Sequence, residues 1–133
     1  RLIAAMARNA GKSSYAFSPP CALIMGGETV VRLTGRGKGG RNQELALAAA
    51  EGIAGLDNVL VFSVGSDGTD GPTDAAGGIV DGGTMAALVD AGISLQETLK
   101  NNYAYTALEA VEGLVVTGPT GTNVNDVAVA LCS

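Results

Sequence analysis

A continuous apolar run, VLVFSV at residues 59–64, constrains the fold of this chain more than any other feature. The run carries no charge and contains β-branched valines, which is typical of a central strand covered on both faces. The segment before it, residues 42–53, is rich in alanine and predicts a helix buried against a sheet. An alternating run at residues 28–34 predicts a strand in front of this helix. The order strand, helix, strand indicates a βαβ unit with a parallel pair of strands.

Periodicity and turn signals divide the rest of the chain. Further predicted helices cover residues 2–10, ended by Gly11, residues 84–91, ended by Gly92, and residues 103–111. Further predicted strands cover residues 21–25, 114–117 and 127–131, with a tight hairpin turn at Gly26 and Gly27. These elements predict the α/β class and a layered α/β/α domain with a mixed, largely parallel sheet. Residues 1–20 are interpreted as an N-terminal helix and connector, and residues 21–133 as the α/β domain.

Composition excludes several classes of protein. The 133 residues suffice for one domain without disulfides, although the chain is short for an enzyme that holds two substrates. A formal net charge of −5 and the lack of Trp argue against nucleic-acid binding, which requires a broad basic surface. The sequence contains neither a signal peptide nor a membrane-spanning run, so a soluble protein is expected. Cys21 and Cys132 lack CxxC spacing, which disfavours a metal or redox pair and favours a reducing, cytoplasmic compartment.

The most informative loop is GRGKGGRNQE at residues 35–44, which we call the basic segment. It combines four glycines with three of the chain's eight basic residues, Arg36, Lys38 and Arg41. The segment leads into the predicted helix, whose first N–H groups and dipole attract negative charge. It therefore predicts an anion-binding site. The alternative is a solvated glycine hinge that is capped by Asn42.

Three glycines of the basic segment, Gly35, Gly37 and Gly40, match the GxGxxG pattern of dinucleotide-binding folds. However, no acidic residue ends the next predicted strand about twenty positions on, and Asp67 comes too late. Three cations also exceed what one pyrophosphate requires, so a more highly charged phosphate fits better. A Walker A motif is excluded because no Gly-Lys-Ser/Thr sequence opens the helix.

Two polar loops follow predicted strands: the aspartate loop, residues 66–77, and the amide loop, residues 118–126. Asp67, Asp70 and Asp74 of the aspartate loop would repel one another unless a cation lay among them, which favours a Mg²⁺ site or pairing with the basic segment. Turn formation is the alternative for each aspartate. It is the favoured interpretation, residue by residue, for four side chains of the amide loop: Thr120, Thr122, Asn123 and Asn125. If the preceding strands are parallel, the two loops converge at one rim of the sheet.

Three stretches of the chain resemble a known family: GGETVVRLTGRGKGGRNQELALAAA, SDGTDGPTDAAGGIVDG and TGPTGTNVND. In this order they are similar to the C-terminal domain, often called MOFRL, of the class II glycerate 2-kinases, and the resemblance covers residues 21–131. It implies a larger N-terminal Rossmann-like domain, absent from this chain, and an active site in the cleft between the two domains. It also implies phosphorylation of D-glycerate at its 2-hydroxyl, with ATP and Mg²⁺ as cofactors. A catalytic lysine of the family lies in the N-terminal domain, so this chain alone is expected to be inactive.

The resemblance also implies roles for particular residues. Arg41 resembles the arginine, and Asp67 the aspartate, of the family's catalytic cleft. Arg41, helped by Lys38 and by backbone N–H groups, is expected to stabilise the transferring phosphate or the glycerate carboxylate. Asp67, with Asp70, is expected to hold Mg²⁺ or to orient the 2-hydroxyl. Substrate or phosphate contacts are expected from a wider set of residues: Gly37, Lys38, Gly39, Gly40, Asn42, Gln43, Glu44, Thr120 and Asn123.

Two other functions remain alternatives. Many relatives of the family carry the older name hydroxypyruvate reductase, and the GxGxxG match would suit an NAD(P)H-dependent reductase domain. The basic segment would also suit a non-catalytic module that binds a phosphorylated ligand. The expected partners are the N-terminal domain of the same enzyme and D-glycerate, without nucleic acid or membrane, and a homodimer is left open.

Overall fold

The computed structural model of the chain describes residues 1–13, 17–32 and 34–133, with the side chains at positions 11 and 13 left aside. Its helices are α1 (Leu2–Ser13), α2 (Arg41–Ile53), α3 (Thr84–Asp90), α4 (Leu95–Asn101) and α5 (Ala104–Ala110). Its strands are β1 (Cys21–Gly27), β2 (Val59–Gly65), β3 (Gly77–Asp81), β4 (Leu114–Val115) and β5 (Asp126–Cys132).

The strands form one sheet in the order β1-β5-β2-β3-β4, and each neighbouring pair is antiparallel. β5 lies between β1 and β2, and β3 lies between β2 and β4. Two strands that are both antiparallel to the strand between them point in the same direction. β1, β2 and β4 therefore run the same way and end at one edge of the sheet, where β3 and β5 begin.

The helices cover one face of this sheet. Along β2 the side chains of Val59, Val61 and Ser63 are buried, whereas those that alternate with them are half-buried. α2 packs on β2 and β3, α1 packs on α2 and β5, and the three short helices pack around α2. On the opposite face, Ile24 and Leu131 expose 71% and 44% of their surface. The described part of the domain therefore has two layers.

α2 is the centre of the hydrophobic core. Leu47 and Ile53 have no exposed surface, and burial of a side chain of this size contributes about 1.5–3 kcal/mol. Small residues bring α1 close to α2, since a Cβ atom on Gly52 would lie 2.6 Å from the Cβ atom of Ala4. The N-terminal helix thus shares the core of the sheet domain, while the proposed division at residue 20 stays a prediction.

The predicted α/β class is confirmed, as are most of the elements. Four predicted helices correspond to α1, α2, α3 and α5: residues 2–10, 42–53, 84–91 and 103–111. Four predicted strands correspond to β1, β2, β4 and β5: residues 21–25, 59–64, 114–117 and 127–131. α1 continues past Gly11, β4 has only two residues, and β3 and α4 were missed. No helix in the described ranges is long and apolar enough to cross a membrane.

The prediction of a largely parallel sheet in an α/β/α arrangement is wrong. Every pair of neighbouring strands is antiparallel, and the helices lie on one face. The predicted βαβ unit does not form, because its first strand, at residues 28–34, is absent from the described part of that segment. The strand before α2 is β1, which runs in the same direction as β2, but the last strand of the chain, β5, separates the two. Local sequence patterns cannot predict that β5 lies between β1 and β2, because β5 begins more than sixty residues after β2 ends.

The prediction of a strand at residues 28–34 is also wrong for the residues that the structure describes, while Leu33 lies outside them. Gly26 and Gly27 belong to β1, so the predicted hairpin turn does not form. The backbone N–H groups of Thr29 and Thr34 donate to side chains, those of Asp126 and Asn102, instead of to a neighbouring strand. At these two residues the backbone is therefore held by side chains and not by a strand partner.

The two cysteines lie opposite each other, since Cys21 of β1 pairs in register with Cys132 of β5. Both are free thiols, and burial raises the pKa of the Cys132 thiol. A buried, protonated thiol is a poor nucleophile and behaves as a small apolar residue.

Gly77 and Gly26 provide a matched test of the sheet, because both lie in strands. A Cβ atom on Gly77 would lie 1.8 Å from the carbonyl oxygen of Ser63, whereas no described atom lies within 4 Å of the equivalent position on Gly26. We expect Gly77→Ala to lower the free energy of unfolding by about 1–3 kcal/mol, and Gly26→Ala to change it by less than about 0.5 kcal/mol. Urea unfolding followed by circular dichroism measures both. Equal stability of the two variants would contradict the close approach of β2 and β3.

Candidate functional site

The loops that follow β1, β2 and β4 meet at the edge where these strands end. The N–H group of Thr120 donates to the carbonyl oxygen of Asp67 (3.1 Å), and the N–H group of Ser66 donates to that of Asn125 (3.1 Å). The predicted convergence of the aspartate loop and the amide loop is therefore confirmed. Its cause is the common direction of β2 and β4 on either side of β3, and not a parallel pairing.

The basic segment packs against the aspartate loop through glycines. A Cβ atom on Gly40 would lie 2.3 Å from Cγ of Asp70, and one on Gly71 would lie 2.4 Å from the carbonyl oxygen of Gly39. Side chains at these two positions would push the loops apart, so glycine is required for the close approach. The glycines of the basic segment thus have a packing role in addition to any role in binding.

Asn102 holds the beginning of the basic segment in place. It is buried in the left-handed backbone conformation, with φ 59°, that Asn tolerates better than most residues. Its Oδ1 atom accepts hydrogen bonds from the N–H groups of Thr34 and Gly35, both at 2.8 Å. Its Nδ2 atom donates to Oε1 of Glu44 (2.5 Å). Burial raises the pKa of Glu44, which the hydrogen bond from Asn102 opposes.

Asp70 occupies the anion position at the N-terminus of α2. Its Oδ1 atom accepts hydrogen bonds from the backbone N–H group (3.1 Å) and the side-chain amide (3.2 Å) of Asn42, and its Oδ2 atom accepts from the N–H group of Gln43 (2.9 Å). The N-cap residue, Gly40, has no side chain to do this. Asp70 is only 1% exposed. The helix dipole and two of its first N–H groups therefore stabilise the protein's own carboxylate.

This arrangement corrects the expectation that α2 offers unpaired N–H groups to an external phosphate. Asn42 and Gln43, both predicted as ligand contacts, are fully buried. Gln43 donates its side-chain amide to the carbonyl oxygen of Asp70 (3.2 Å), and Ser63 donates its hydroxyl to Oδ1 of Asn42 (2.6 Å). These two buried residues connect α2 to β2 and to the aspartate loop, so they hold the loops of the site in place and are not exposed to a ligand.

The three aspartates do not form a single cluster. Asp70 is buried at the N-terminus of α2, whereas Asp74 is exposed. Asp74 accepts a hydrogen bond from the hydroxyl group of Tyr105 (2.8 Å), which lowers the pKa of Asp74. Within the described ranges, no group of three acidic or cysteine side chains is arranged to hold a metal ion. A cation site shared by all three aspartates, as their spacing indicated, is therefore wrong. The metal-binding role of Asp67 and Asp70 stays a prediction.

Asp67 lies between the aspartate loop and the amide loop and is half-buried. Its Oδ1 atom accepts hydrogen bonds from the N–H group and the hydroxyl group of Thr69, both at 3.0 Å, and its Oδ2 atom accepts one from the amide of Asn123 (3.4 Å). Thr120 donates its hydroxyl to the carbonyl oxygen of Ser66 (2.5 Å). The structure thus brings together three predicted site residues, Asp67, Thr120 and Asn123.

Arg41, the first residue of α2, forms a bidentate ion pair with Asp126, the first residue of β5. Its Nε atom lies 2.6 Å from Oδ2, and its Nη2 atom lies 3.0 Å from Oδ1. Asp126 is 3% exposed and also accepts hydrogen bonds from the N–H and hydroxyl groups of Thr29 at 3.4 Å. Burial alone would raise the pKa of Asp126, but hydrogen bonds from Arg41, Asn42 and Thr29 outweigh it and lower the pKa.

Asp126 was not singled out from the sequence, although it ends the amide loop. The signal that could have identified it is its charge, because it is the only carboxylate among the hydroxyl and amide groups of residues 118–126. Asn102 carried a weaker signal, as one of two adjacent asparagines before a predicted helix. Both residues act over a long sequence distance, which no local pattern records.

Lys38 lies on the outer side of the basic segment. Its Nζ atom is 3.7 Å from the ring centre of Tyr105, which is within the range of a cation–π contact. The backbone N–H group of Tyr105 donates to the carbonyl oxygen of Lys38 (3.1 Å). Tyr105 therefore links the basic segment to Asp74 of the aspartate loop.

A cavity of about 190 Å³ opens between the basic segment and the aspartate loop. Five predicted site residues are among its lining: Gly37, Gly39, Gly40, Arg41 and Glu44. A second cavity of about 290 Å³ has Asp126 and Thr29 among its lining residues. Arg41 thus lines one cavity, and its partner Asp126 lines the other.

Fold and site together define an α/β domain that presents a cationic, glycine-rich segment and a hydrogen-bonded carboxylate at one edge of its sheet. Loops that a rigid sheet holds in place are where binding residues are most often found. The sequence profile of the MOFRL family matches residues 21–126, and the chain belongs to that family. The resemblance identified from the three sequence stretches is confirmed.

Proteins named as glycerate kinases are close relatives of the chain. D-glycerate 2-kinase of Thermotoga maritima is 52% identical over 131 residues, which are 98% of this chain and 31% of that protein. Glycerate 2-kinase of Pyrococcus horikoshii is 53% identical over 116 residues, 86% of this chain and 26% of that protein. The crystal structure of a glycerate kinase from Thermotoga maritima matches with a TM-score of 0.97 and 51% identity, over 99% of this chain and 32% of that one. The chain therefore spans about a third of the length of these relatives.

Asp70 and Asp74 provide a matched test of whether the carboxylate of Asp70 stabilises the N-terminus of α2. Asp70→Ala leaves the N–H groups of Asn42 and Gln43 buried without an acceptor, so we expect the free energy of unfolding to fall by at least about 2 kcal/mol. Asp74→Ala removes the same charge from an exposed position of the same loop and should change it by less than about 0.5 kcal/mol. Urea unfolding of both variants measures the difference. Similar losses would show that Asp70 does not stabilise the helix N-terminus.

The lowered pKa of Asp126 predicts a pH-dependent contribution to stability. Its pKa in the folded state is lower than in the unfolded chain, where aspartate has a pKa of about 3.9. The ionised carboxylate therefore stabilises the fold above about pH 3.9, and this contribution is lost as the pH falls through the folded-state pKa. We expect the wild type to exceed Asp126→Asn by about 1.5–3 kcal/mol at neutral pH, and the difference to shrink in more acidic solution than about pH 4. Urea unfolding across this pH range measures it. A difference that is constant with pH would contradict an ionised Asp126.

Proposed function

We propose that this chain is the C-terminal domain of an ATP-dependent glycerate 2-kinase and provides half of a site between two domains. The reaction is transfer of phosphate from ATP to the 2-hydroxyl of D-glycerate. The observation that carries the proposal is the position of Arg41, whose guanidinium is fixed at the same sheet edge as the carboxylate of Asp67. The 52% identity to D-glycerate 2-kinase of Thermotoga maritima supports the choice of substrate.

Phosphoryl transfer requires positioning of the reactants and neutralisation of charge on the transferring group. Arg41 supplies a permanent positive charge that an ion pair has already oriented, so little reorganisation accompanies ligand binding. Lys38 supplies a second cation at the outer side of the basic segment. The carboxylate of Asp67 would orient the 2-hydroxyl group of D-glycerate for attack on the phosphorus atom.

The residues around Asp67 also fit a Mg²⁺ ion. Carboxylate, hydroxyl and amide oxygens are hard ligands, and Mg²⁺ in phosphoryl-transfer sites is held by one or two carboxylates together with substrate phosphates. Asp67, Thr120 and Asn123 supply such oxygens, and a cluster of three carboxylates is not required. Asp70 is a weaker candidate because it is only 1% exposed, whereas Asp67 is half-buried. When bound, Mg²⁺ would neutralise charge on the phosphates of ATP.

The proposal includes a partner for this domain. The kinase relatives are about three times as long as the chain, and the remainder of such a protein would form the N-terminal Rossmann-like domain that closes the cleft. We include the cytoplasm as the location because of the reducing environment that the cysteine usage favours.

The dinucleotide alternative receives less support from the site. In Rossmann folds the glycines allow the pyrophosphate to approach the backbone at a helix N-terminus. Here a Cβ atom on Gly35 would lie 2.2 Å from the carbonyl oxygen of Asn101, and one on Gly37 would lie 2.4 Å from that of Asn102. These glycines are required for packing against the end of α4, and Asp70 fills the helix N-terminus. The basic segment therefore has the GxGxxG spacing without its dinucleotide geometry.

The test uses the whole protein, with its N-terminal domain, incubated with D-glycerate, ATP and Mg²⁺. Phosphorus NMR should detect 2-phosphoglycerate, and Arg41→Ala and Asp67→Asn should each lower kcat by at least about a hundredfold. Lys100→Ala and Asp90→Asn remove the same charges from exposed positions on α4 and α3, and should leave kcat nearly unchanged.

Other outcomes would contradict the proposal in different ways. NADPH oxidation with hydroxypyruvate, in the absence of a phosphorylated product, would favour the reductase. Binding of a phosphate ester without either activity would favour the non-catalytic module. Near wild-type kinase activity of Arg41→Ala would contradict the role of Arg41 but not the kinase assignment.

A further inference from the structure

The guanidinium group of Arg41 is held along one edge only. Arginine carries five N–H donors in a planar fork. The Nε group donates to Oδ2 of Asp126 (2.6 Å), and the Nη2 group donates to Oδ1 (3.0 Å). Among the residues that the structure describes, the other three N–H groups have no hydrogen-bond partner, and two of them, one on Nη1 and one on Nη2, form the edge opposite Cδ. This edge is therefore the one available to a ligand.

Asp126 is a rigid anchor for this arrangement. It pairs with Gly27 of β1 and with Gly65 of β2, so it is fixed between two strands at the edge of the sheet. These two glycines have no side chain that could compete with Arg41 for the carboxylate. The side chain of Asp126 is 4% exposed, whereas that of Arg41 is 36% exposed. The ion pair thus joins a buried carboxylate to a cation that reaches the surface.

We propose that Asp126 is the positioning residue of the site: it orients Arg41 so that the Nη1–Nη2 edge binds an oxyanion through two parallel hydrogen bonds. This inference rests on the proposed function and deepens it. Two parallel N–H donors match two oxygens of a carboxylate or of a phosphate group. In a glycerate kinase the oxyanion is either the carboxylate of D-glycerate or the transferring phosphate of ATP.

The geometry requires an aspartate at position 126. In Asp126→Asn the side chain retains one acceptor oxygen, while its NH₂ group would face an N–H donor of Arg41. The guanidinium would then rotate away from the buried side chain. A misplacement of about 1 Å at a site of this kind costs about a hundredfold in rate. Asp126→Glu retains the carboxylate but displaces it by one methylene group.

The first experiment is a double-mutant cycle in the whole protein, with kcat/KM as the readout. Asp126→Asn should lower kcat/KM by about a hundredfold when Arg41 is present. In the Arg41→Lys background, where the bidentate fork is absent, the same change should alter kcat/KM by no more than about twofold. Equal losses in the two backgrounds would overturn the inference, because they would mean that Asp126 acts independently of Arg41. If Asp126→Asn does not fold, Asp126→Glu replaces it in the cycle with the same two outcomes.

The kinetic constants of the variant identify the oxyanion. If Arg41 binds the carboxylate of D-glycerate, Asp126→Asn should raise KM for D-glycerate and leave KM for ATP nearly unchanged. If Arg41 binds the transferring phosphate, the loss should appear in kcat, with both KM values nearly unchanged. Either result supports the positioning role. A rise in KM for ATP alone would overturn it, because the edge would then serve a part of the nucleotide that does not react.

A binding measurement separates this inference from the kinase assignment. The Nε–H signal of Arg41, identified by its loss in Arg41→Lys, is followed by nitrogen-15 NMR while D-glycerate or inorganic phosphate is added. We expect the signal to shift in the wild type and the apparent Kd to rise at least tenfold in Asp126→Asn. Equal Kd values would overturn the inference even in an active kinase. A weakened response in a protein without kinase activity would contradict the proposed function and support the positioning role.

Discussion

The pairing of β5 with both β1 and β2 is the constraint on which the rest of the structure depends. An antiparallel strand between them gives β1 and β2 the same direction, and β3 does the same for β2 and β4. Three loops that are far apart in sequence therefore leave the same edge of the sheet. The insertion also places Asp126 at this edge, directly within reach of Arg41. One long-range pairing thus creates both the rim and the anchor of the site.

Two buried carboxylates of the protein itself occupy positions where the sequence predicted an external anion. Asp70 stabilises the N-terminus of α2, and Asp126 pairs with the first side chain of the same helix. Unpaired charges at these depths would be costly, so each is compensated by several donors. The result is a preformed site, since Arg41 is oriented and the aspartate loop is fixed before any ligand arrives. In the proposed kinase, preorganisation of this kind would lower the barrier electrostatically.

The distribution of groups over the loops suits the proposal that the chain provides half of an active site. The chain supplies a fixed cation, a second cation on Lys38 and an oxygen-rich loop around Asp67, all open to one side of the sheet edge. A site for two substrates requires a second wall, and the kinase relatives contain about three times as many residues. The proposed inter-domain reaction therefore rests on the chemistry of the rim together with the length of the relatives.

The sequence by itself determined the α/β class, the positions of α2 and β2, and the basic segment with Arg41, because periodicity, apolar runs and glycine-rich turns act over a few residues. It also predicted that the aspartate and amide loops converge, although for a parallel sheet that does not form. The run at residues 28–34 shows the limit: its alternation predicts a strand, but Asp126 and Asn102 hold the backbone at Thr29 and Thr34 instead. Only the tertiary structure decided the antiparallel order of the strands and the partners of Arg41 and Asp70. The hydrogen-bond partners of Arg41 and Asp70 lie 27 to 85 positions away in sequence, and such contacts depend on which surfaces pack together rather than on local preference.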